Sequence, residues 1–194
     1  RMTAYKRPDL LFSDLERLRA IAGEQPFQLV LAGKAHPKDQ PGKDLIRQIH
    51  DHLAAVSDVI TGAFLPNYDM DIALSLVSGV DVWLNTPLRP LEASGTSGMK
   101  AAFNGVPSLS VLDGWWLEGW VEGLTGWAVG DGSEAANGAD AASLYHQLET
   151  AVLPLYYGDG PGWARLMKGA ISLNASSFNT YRMMRRYATE AYLS

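Results

Sequence analysis

Short apolar runs alternate along this chain with segments of helical periodicity, and no other feature of the sequence restricts the fold as much. The runs predict strands at 27–32, 59–65, 80–84 and 108–112, with helices between them at 42–56, 71–76 and 96–103. Strands separated by helices form βαβ units, whose sheets are parallel. We therefore predict an α/β fold with a Rossmann-like, three-layer parallel sheet. Ligands of such sheets bind beyond the carboxyl ends of the strands.

Length and composition suit one domain of this type. The chain has 194 residues, of which 47% are hydrophobic. We expect a Rossmann-like core over residues 1–130 and a helical extension of the same domain over 131–194. The chain has no cysteine, a net charge of −5 and no apolar run near the ~20 residues of a membrane span. These features favour a cytoplasmic protein that binds neither nucleic acid nor membrane, and no residue cluster has metal-ligand spacing.

A glycine-rich turn between Glu92 and Lys100 is the strongest candidate for a ligand site. Gly95 and Gly98 lack the Cβ atoms that would keep a phosphate at a distance, and the turn leads into a helix whose amino end attracts anions. Lys100 lies five residues after Gly95, within reach of a bound phosphate, and suits Schiff-base chemistry. Glu92 can accept hydrogen bonds from hydroxyl groups. The alternative is an ordinary loop with a solvated lysine.

Other features leave two interpretations open. Tryptophans at 115, 116, 120 and 127 either stack on sugar rings or bury a loop against the core. Lys34 and His36 either line the site or lie on the surface. Asp113 either orients the site or caps a turn.

The segment from Glu92 to Trp116 resembles the cofactor segment of α-glucan phosphorylases, the glycogen, starch and maltodextrin phosphorylase family. Long-form members of that family read EASGTGNMK, followed after a helix by NG and then LDG. This chain reads EASGTSGMK, then Asn104-Gly105, then Leu112-Asp113-Gly114. It departs from the family pattern at Ser97-Gly98, where the family has Gly-Asn. The basic segment from Arg1 to Arg7 is similar to the family's KRIHEYKR.

The resemblance implies a fold, a cofactor and a set of site residues. The fold is the C-terminal half of the two-domain GT-B glycosyltransferase architecture, and the cofactor is pyridoxal 5′-phosphate, covalently bound to Lys100. The residues implied by matching positions are, for catalysis, Lys100, Arg1 and Lys6; for the cofactor, Lys100, Gly95, Thr96, Ser97 and Tyr68; and for the sugar, Glu92, Ser94 and Gly95.

The resemblance also implies a reaction and its partners. Phosphorolysis of terminal α-1,4-glucosidic bonds would consume an α-1,4-glucan and inorganic phosphate and release α-glucose 1-phosphate. Because the chain starts at Arg1 within a motif, we expect a domain excised from a longer protein, inactive without the N-terminal domain that completes the cleft. Homo-oligomer formation stays open. The alternatives are a nucleotide-sugar glycosyltransferase of the same fold, similar to glycogen synthase, and a non-catalytic glucan-binding fragment.

Overall fold

A computed structural model describes residues 1–133 and 137–193. It contains five strands, β1 to β5, at Gln28–Ala32, Thr61–Leu65, Trp83–Asn85, Ser108–Val111 and Gly126–Val129. The helices α1 to α5 are Leu15–Glu24, Gln40–Ala55, Met70–Gly79, Thr96–Phe103 and Trp116–Gly119. Helices α6 to α9 are Asn137–Gln147, Leu153–Gly158, Gly160–Gly169 and Thr180–Tyr187, and π-helical turns at Leu148–Val152, Ala170–Ala175 and Ala188–Tyr192 follow α6, α8 and α9. Short 3-10 turns at Ala4–Lys6 and Leu10–Phe12 precede α1.

The five strands are all parallel and form two hydrogen-bonded sheets. β1 pairs with β2 in one sheet, and β3, β4 and β5 pair in that order in the other. Parallel pairing confirms the predicted α/β class. Four of the strands match predicted ones, whereas β5 was not expected from the sequence.

Strand β5 lies within the tryptophan- and glycine-rich stretch and begins at a glycine. Gly126 has φ +148°, and a Cβ atom there would lie 2.0 Å from the carbonyl oxygen of Ser108 in β4. Glycine at 126 therefore allows the backbones of β4 and β5 to approach each other closely, and it does not mark a loop between elements. Its neighbour Trp127 is buried and lies 6.0 Å from Trp163 of α8, measured between ring centroids.

The helical part of the chain packs directly on the first hundred residues. The Tyr145 hydroxyl of α6 donates to the carbonyl of Leu11 at 2.7 Å, and it accepts from the amide of Asp14 at 2.9 Å. Burial raises the pKa of Tyr145, which therefore stays protonated. Because Asp14 also caps α1 by accepting from Arg17 N, this tyrosine fixes the start of α1.

Three of the four tryptophans considered above are buried: Trp115, Trp116 and Trp127. Trp115 packs against Trp116 and Phe178, with ring centroids 5.1 and 5.2 Å away. These contacts favour the interpretation in which the cluster buries a loop. No helix within residues 1–133 and 137–193 is long and apolar enough to cross a membrane.

Candidate functional site

A cleft of about 910 Å³ lies between β1 and β3, and we call it the interstrand cleft. Its walls include every residue of both strands. Four predicted site residues line it: Arg1, Lys6, Tyr68 and Ser97. The others are not among its lining residues: Glu92, Ser94, Gly95, Thr96 and Lys100. Tyr68 is half-buried and follows β2 by three residues, and Ser97 lies in the first turn of α4.

The glycine-rich turn leads into α4 through Gly95, a cap residue that has no side chain to accept from the helix. Gly95 has φ +86°, a left-handed conformation that favours glycine. Within residues 1–133 and 137–193, no side-chain oxygen accepts from the first turn of α4, so the backbone N–H groups of Thr96 and Ser97 are available to a ligand. The Ser97 hydroxyl accepts a hydrogen bond from the Trp83 indole at 3.2 Å. This arrangement suits an anion at the amino end of α4.

Trp115 lies directly beneath the turn and explains both glycines. A Cβ atom at Gly95 would lie 3.1 Å from Trp115 Cδ1, and one at Gly98 would lie 2.8 Å from Trp115 Cζ2. Such contacts are tighter than side chains normally make. Glycine at 98, which has no side chain, therefore fits the indole below it.

Asp113 holds the turn from the end of β4. Its carboxylate is buried and accepts hydrogen bonds from the amides of Glu92 at 2.8 Å and Gly114 at 2.9 Å. The Trp115 amide donates to the carbonyl of Ser94 at 2.8 Å. Asp113 thus caps its own turn and also positions Glu92, so both interpretations left open by the sequence hold together.

Lys6 and Glu92 form an ion pair across the site. The Glu92 side chain is 13% exposed and that of Lys6 32%. The Lys6 ammonium also lies 5.2 Å from the centre of the Tyr5 ring. The pair brings a predicted phosphate-binding residue and a predicted sugar-binding residue into direct contact.

Arg7 is the last residue of the basic segment and holds that segment in place. Its guanidinium donates to the carbonyls of Thr86 at 2.9 Å and Pro87 at 2.7 Å, and to the Asp140 carboxylate at 2.6 Å. Both charged side chains are buried. Thr86 in turn donates through its hydroxyl to the carbonyls of Lys6 and Arg7. Nothing in the spacing of the sequence relates Arg7 to Asp140, 133 positions later.

Lys100 lies on the exposed side of α4. Gly98, Ala101 and Ala102 form the buried side of that helix, whereas Thr96 and Lys100 are exposed. The Lys100 ammonium makes no hydrogen bond or ion pair with any residue of 1–133 or 137–193.

Two other candidates lie away from the cleft. Lys34 and His36 are exposed, and neither is among the lining residues. The His36 ring accepts through Nδ1 from the amide of Lys38 at 3.1 Å. Across the described part of the chain, no group of three or more histidine or carboxylate residues is arranged to hold a metal ion.

Comparison with known proteins identifies the family. Residues 1–121 match the model of the Phosphorylase family, described as carbohydrate phosphorylase. The chain belongs to the carbohydrate phosphorylase family. It is similar to the maltodextrin phosphorylase of Thermococcus litoralis, with 46% identity, and to the glycogen phosphorylase of Aquifex aeolicus, with 48% identity. Each match covers 99% of this phosphorylase chain but only 24% and 29% of the relatives, so the chain spans about a quarter of their length.

A solved structure supports the fold assignment. The crystal structure of Anabaena Alr3699/HepE in complex with UDP and glucose superposes on 97% of this phosphorylase chain and 45% of its own, with a TM-score of 0.68 and 16% identity. At that identity the likeness concerns the fold alone. It confirms the predicted α/β fold, a Rossmann-like half of the GT-B architecture.

Proposed function

We infer that the chain is the cofactor-bearing C-terminal domain of an α-glucan phosphorylase. The whole protein would cleave terminal α-1,4-glucosidic bonds of a glucan with inorganic phosphate and release α-glucose 1-phosphate. The observation that carries this proposal is the contact between Lys6 and Glu92, because it joins the ammonium expected to bind phosphate to the carboxylate expected to accept sugar hydroxyls. The identity of 46–48% to maltodextrin and glycogen phosphorylases supports it.

The residues present fit pyridoxal 5′-phosphate. The start of α4, where Gly95 offers no capping side chain, would supply backbone N–H groups for its phosphate. Thr96 and Ser97 would add hydroxyl groups, Lys100 would provide the covalent attachment, and Tyr68 would lie beside the ring. When bound, the cofactor supplies a phosphate whose second pKa of about 6 suits it to hold and return a proton near neutral pH.

The chain's own residues would bind and orient the substrates. Arg1 and Lys6 would bind the substrate phosphate, since two fixed cations offset the repulsion between neighbouring phosphates. Glu92 would accept hydrogen bonds from glucosyl hydroxyls, with help from Ser94 and Gly95. Asp113 would keep Glu92 in place through its backbone amide.

The decisive experiment uses the full-length protein. Borohydride reduction and peptide mapping should place pyridoxal phosphate on Lys100, and Lys100→Ala should give a folded protein without covalent cofactor. Lys34→Ala is the matched control, because that lysine is exposed and does not line the cleft. Attachment at Lys34 or Lys6 would contradict the assignment.

Two further variants test the substrate roles. Lys6→Ala should weaken phosphate use about ten- to hundredfold, since a charge-assisted contact contributes about 1.5–3 kcal/mol.

Glu92→Gln should lower the catalytic efficiency on glucan while cofactor stays bound. The loss of transition-state stabilisation should be about 2 kcal/mol or more. Loss of cofactor in Glu92→Gln without a separate effect on glucan use would instead give Glu92 a structural role.

A second candidate is a nucleotide-sugar glycosyltransferase. The fold, which this chain shares with a protein solved with UDP and glucose, is compatible with both candidates. Such an enzyme needs no covalent cofactor, so an absorbance band of pyridoxal phosphate in the full-length protein separates the two. Under either function the isolated 194-residue chain should be inactive, because one domain supplies only one wall of the active cleft.

A further inference from the structure

We propose that Trp83 is a positioning residue, which makes the Ser97 hydroxyl a hydrogen-bond donor to the cofactor phosphate. Trp83 would act through Ser97. The proposal rests on the proposed function, because the phosphate is that of pyridoxal 5′-phosphate at the start of α4. It also goes beyond that function, since no motif in the sequence includes Trp83 and the sequence assigned this residue only to a strand.

The side chains of Trp83 and Ser97 meet in one hydrogen bond. The indole Nε1 of Trp83 donates to the hydroxyl oxygen of Ser97 at 3.2 Å, and the contact is partly buried. An indole N–H can only donate, whereas a hydroxyl has one proton to donate and two lone pairs that accept. Ser97 is therefore the acceptor in this pair, and its own proton remains for another partner.

The Ser97 hydroxyl proton has no acceptor within residues 1–133 and 137–193. Trp83 and Ser97 both line the interstrand cleft, so an acceptor can reach the hydroxyl from there. A phosphate ester suits this place, because its charged oxygens accept strong hydrogen bonds and at full ionisation donate none. The pair thus favours an anion as the partner of the hydroxyl.

Backbone pairing and side-chain packing hold the Trp83 ring in place. Its amide donates to the carbonyl of Pro107 at 3.0 Å, and Trp83 lies opposite Ser108 in the ladder of β3 and β4. The side chain packs against a small apolar cluster that consists of Val77, Ala101 and Val106. The core therefore sets the direction of the indole N–H before any ligand binds, and a donor oriented in advance costs less to order on binding.

Ser97 would then offer two donors to the same anion. It is the second residue of α4, so its backbone N–H belongs to the first turn, where the helix itself provides no acceptor. The hydroxyl adds a second donor from the same residue. A place that presents only donors favours a fully ionised phosphate and gains nothing from a ligand that lacks one.

The alternative is that the Trp83 ring only fills space beside Ser97. The two roles differ in how they depend on the hydroxyl. A packing role persists whichever residue occupies position 97, whereas a positioning role disappears when the hydroxyl is removed. A double-mutant cycle separates them.

The test measures how the full-length protein, freed of cofactor, binds pyridoxal 5′-phosphate and pyridoxal, which lacks the phosphate. Ser97→Ala should weaken binding of pyridoxal 5′-phosphate about ten- to hundredfold, the range for a hydrogen bond to a charged group. Trp83→Phe keeps an aromatic ring but removes the N–H, and it should weaken this binding about two- to tenfold. Neither variant should change pyridoxal binding by more than about twofold.

The cycle and a control complete the test. In the Ser97→Ala background, Trp83→Phe should change binding of pyridoxal 5′-phosphate by less than about twofold. Trp120→Phe is the matched control, because that indole donates to Glu122 at 2.8 Å and does not line the cleft. This variant should bind both ligands as the unaltered protein does.

Two results would overturn the proposal by giving Trp83 a packing role. One is a further loss on Trp83→Phe in the Ser97→Ala background, and the other is an equal loss for pyridoxal. Ser97→Thr covers the case in which Trp83→Phe does not fold, since threonine keeps the hydroxyl and should restore the preference for the phosphate that Ser97→Ala loses. An unchanged preference in Ser97→Ala, or none in Ser97→Thr, would also overturn it.

Failure of this proposal can be distinguished from failure of the proposed function. If the unaltered full-length protein binds no pyridoxal 5′-phosphate, the proposed function fails and this inference fails with it. If the unaltered protein binds the cofactor and the Trp83 and Ser97 variants bind it equally well, this inference alone fails.

Discussion

The two sides of the candidate site are held by different physical means. The turn from Glu92 to Lys100 rests on the fully buried strand β4, through the Asp113 carboxylate and the Trp115 ring. The basic segment from Arg1 to Arg7 lies beside the half-exposed strands β1 and β3, and a buried ion pair to Asp140 holds it. Close packing on Trp115 and hydrogen bonds to the Asp113 carboxylate fix the first side, and a buried ion pair fixes the second. The two sides should therefore respond to different substitutions.

Removing the buried carboxylate should produce the largest effect. Asp140→Ala removes a buried carboxylate that pairs with the Arg7 guanidinium, and removing one partner of a buried ion pair costs about 3–5 kcal/mol. We expect a loss of that size in the free energy of unfolding, measured by urea denaturation. Asp51→Ala, at an exposed position of α2, should change the stability by less than about 0.5 kcal/mol. Equal effects of the two variants would show that Arg7 does not depend on Asp140.

The turn can be released by a single substitution at the end of β4. Asp113→Ala leaves the amides of Glu92 and Gly114 without their acceptor, which should cost about 1.5–3 kcal/mol of unfolding free energy. Asp113→Asn keeps one acceptor oxygen and should lose less. If the alanine variant were as stable as Asp51→Ala, the turn would not rest on this carboxylate.

Shape complementarity itself is tested at Gly98. Gly98→Ala puts a methyl group 2.8 Å from Trp115, and the resulting overpacking should cost about 1–3 kcal/mol. Gly23→Ala in α1 is the matched control, since its Cβ meets nothing within 4 Å. That change should be neutral or should stabilise by up to about 1 kcal/mol. A neutral Gly98→Ala would mean that Trp115 yields readily and does not shape the turn.

The smallest effect is expected at an exposed pair away from both sides. Arg17 donates to Glu149 at 2.8 and 2.6 Å, and these hydrogen bonds lower the pKa of Glu149 below its ordinary value of 4.5. A lowered carboxylate pKa stabilises the folded chain above the ordinary value, and this contribution is lost as pH falls through the lowered value. Glu149→Gln should cost about 0.2–1 kcal/mol at pH 7 and less in acid. A cost that grew in acid would contradict the assignment.

The sequence predicted local structure better than long-range pairing. Helix α4 lies at the predicted residues 96–103, because glycine punctuation and helical periodicity agree there. Strand β5 was not predicted because it begins at Gly126, and a glycine in this position usually indicates a loop. In the structure Gly126 instead permits close packing on β4. The pair of Arg7 and Asp140 depends on tertiary proximity, which no local pattern contains.

The candidate site shows the same division. Motif positions that lie within a few residues of each other, such as Glu92 and Ser97, could be named from the sequence alone. The sequence alone could not show that Trp115 supports this turn. Trp115 is one of several tryptophans in its stretch, and only its packing against Gly95 and Gly98 distinguishes it from the others. The roles of Arg1, Lys6 and Lys100 stay predictions.

Because Lys6 and Glu92 contact each other, a ligand that separates them would have to compensate both charges. As the chain stands, each group neutralises the other. An anion alone could pair with the Lys6 ammonium, but it would leave the Glu92 carboxylate without a partner. A neutral polyol alone could donate to Glu92, but it would leave the Lys6 ammonium unpaired. Either ligand would leave one uncompensated charge in a partly buried place. A molecule that offers an anion and hydroxyl donors at neighbouring positions compensates both at once. If both residues have the proposed roles, this one ion pair would discriminate between complete and incomplete ligands.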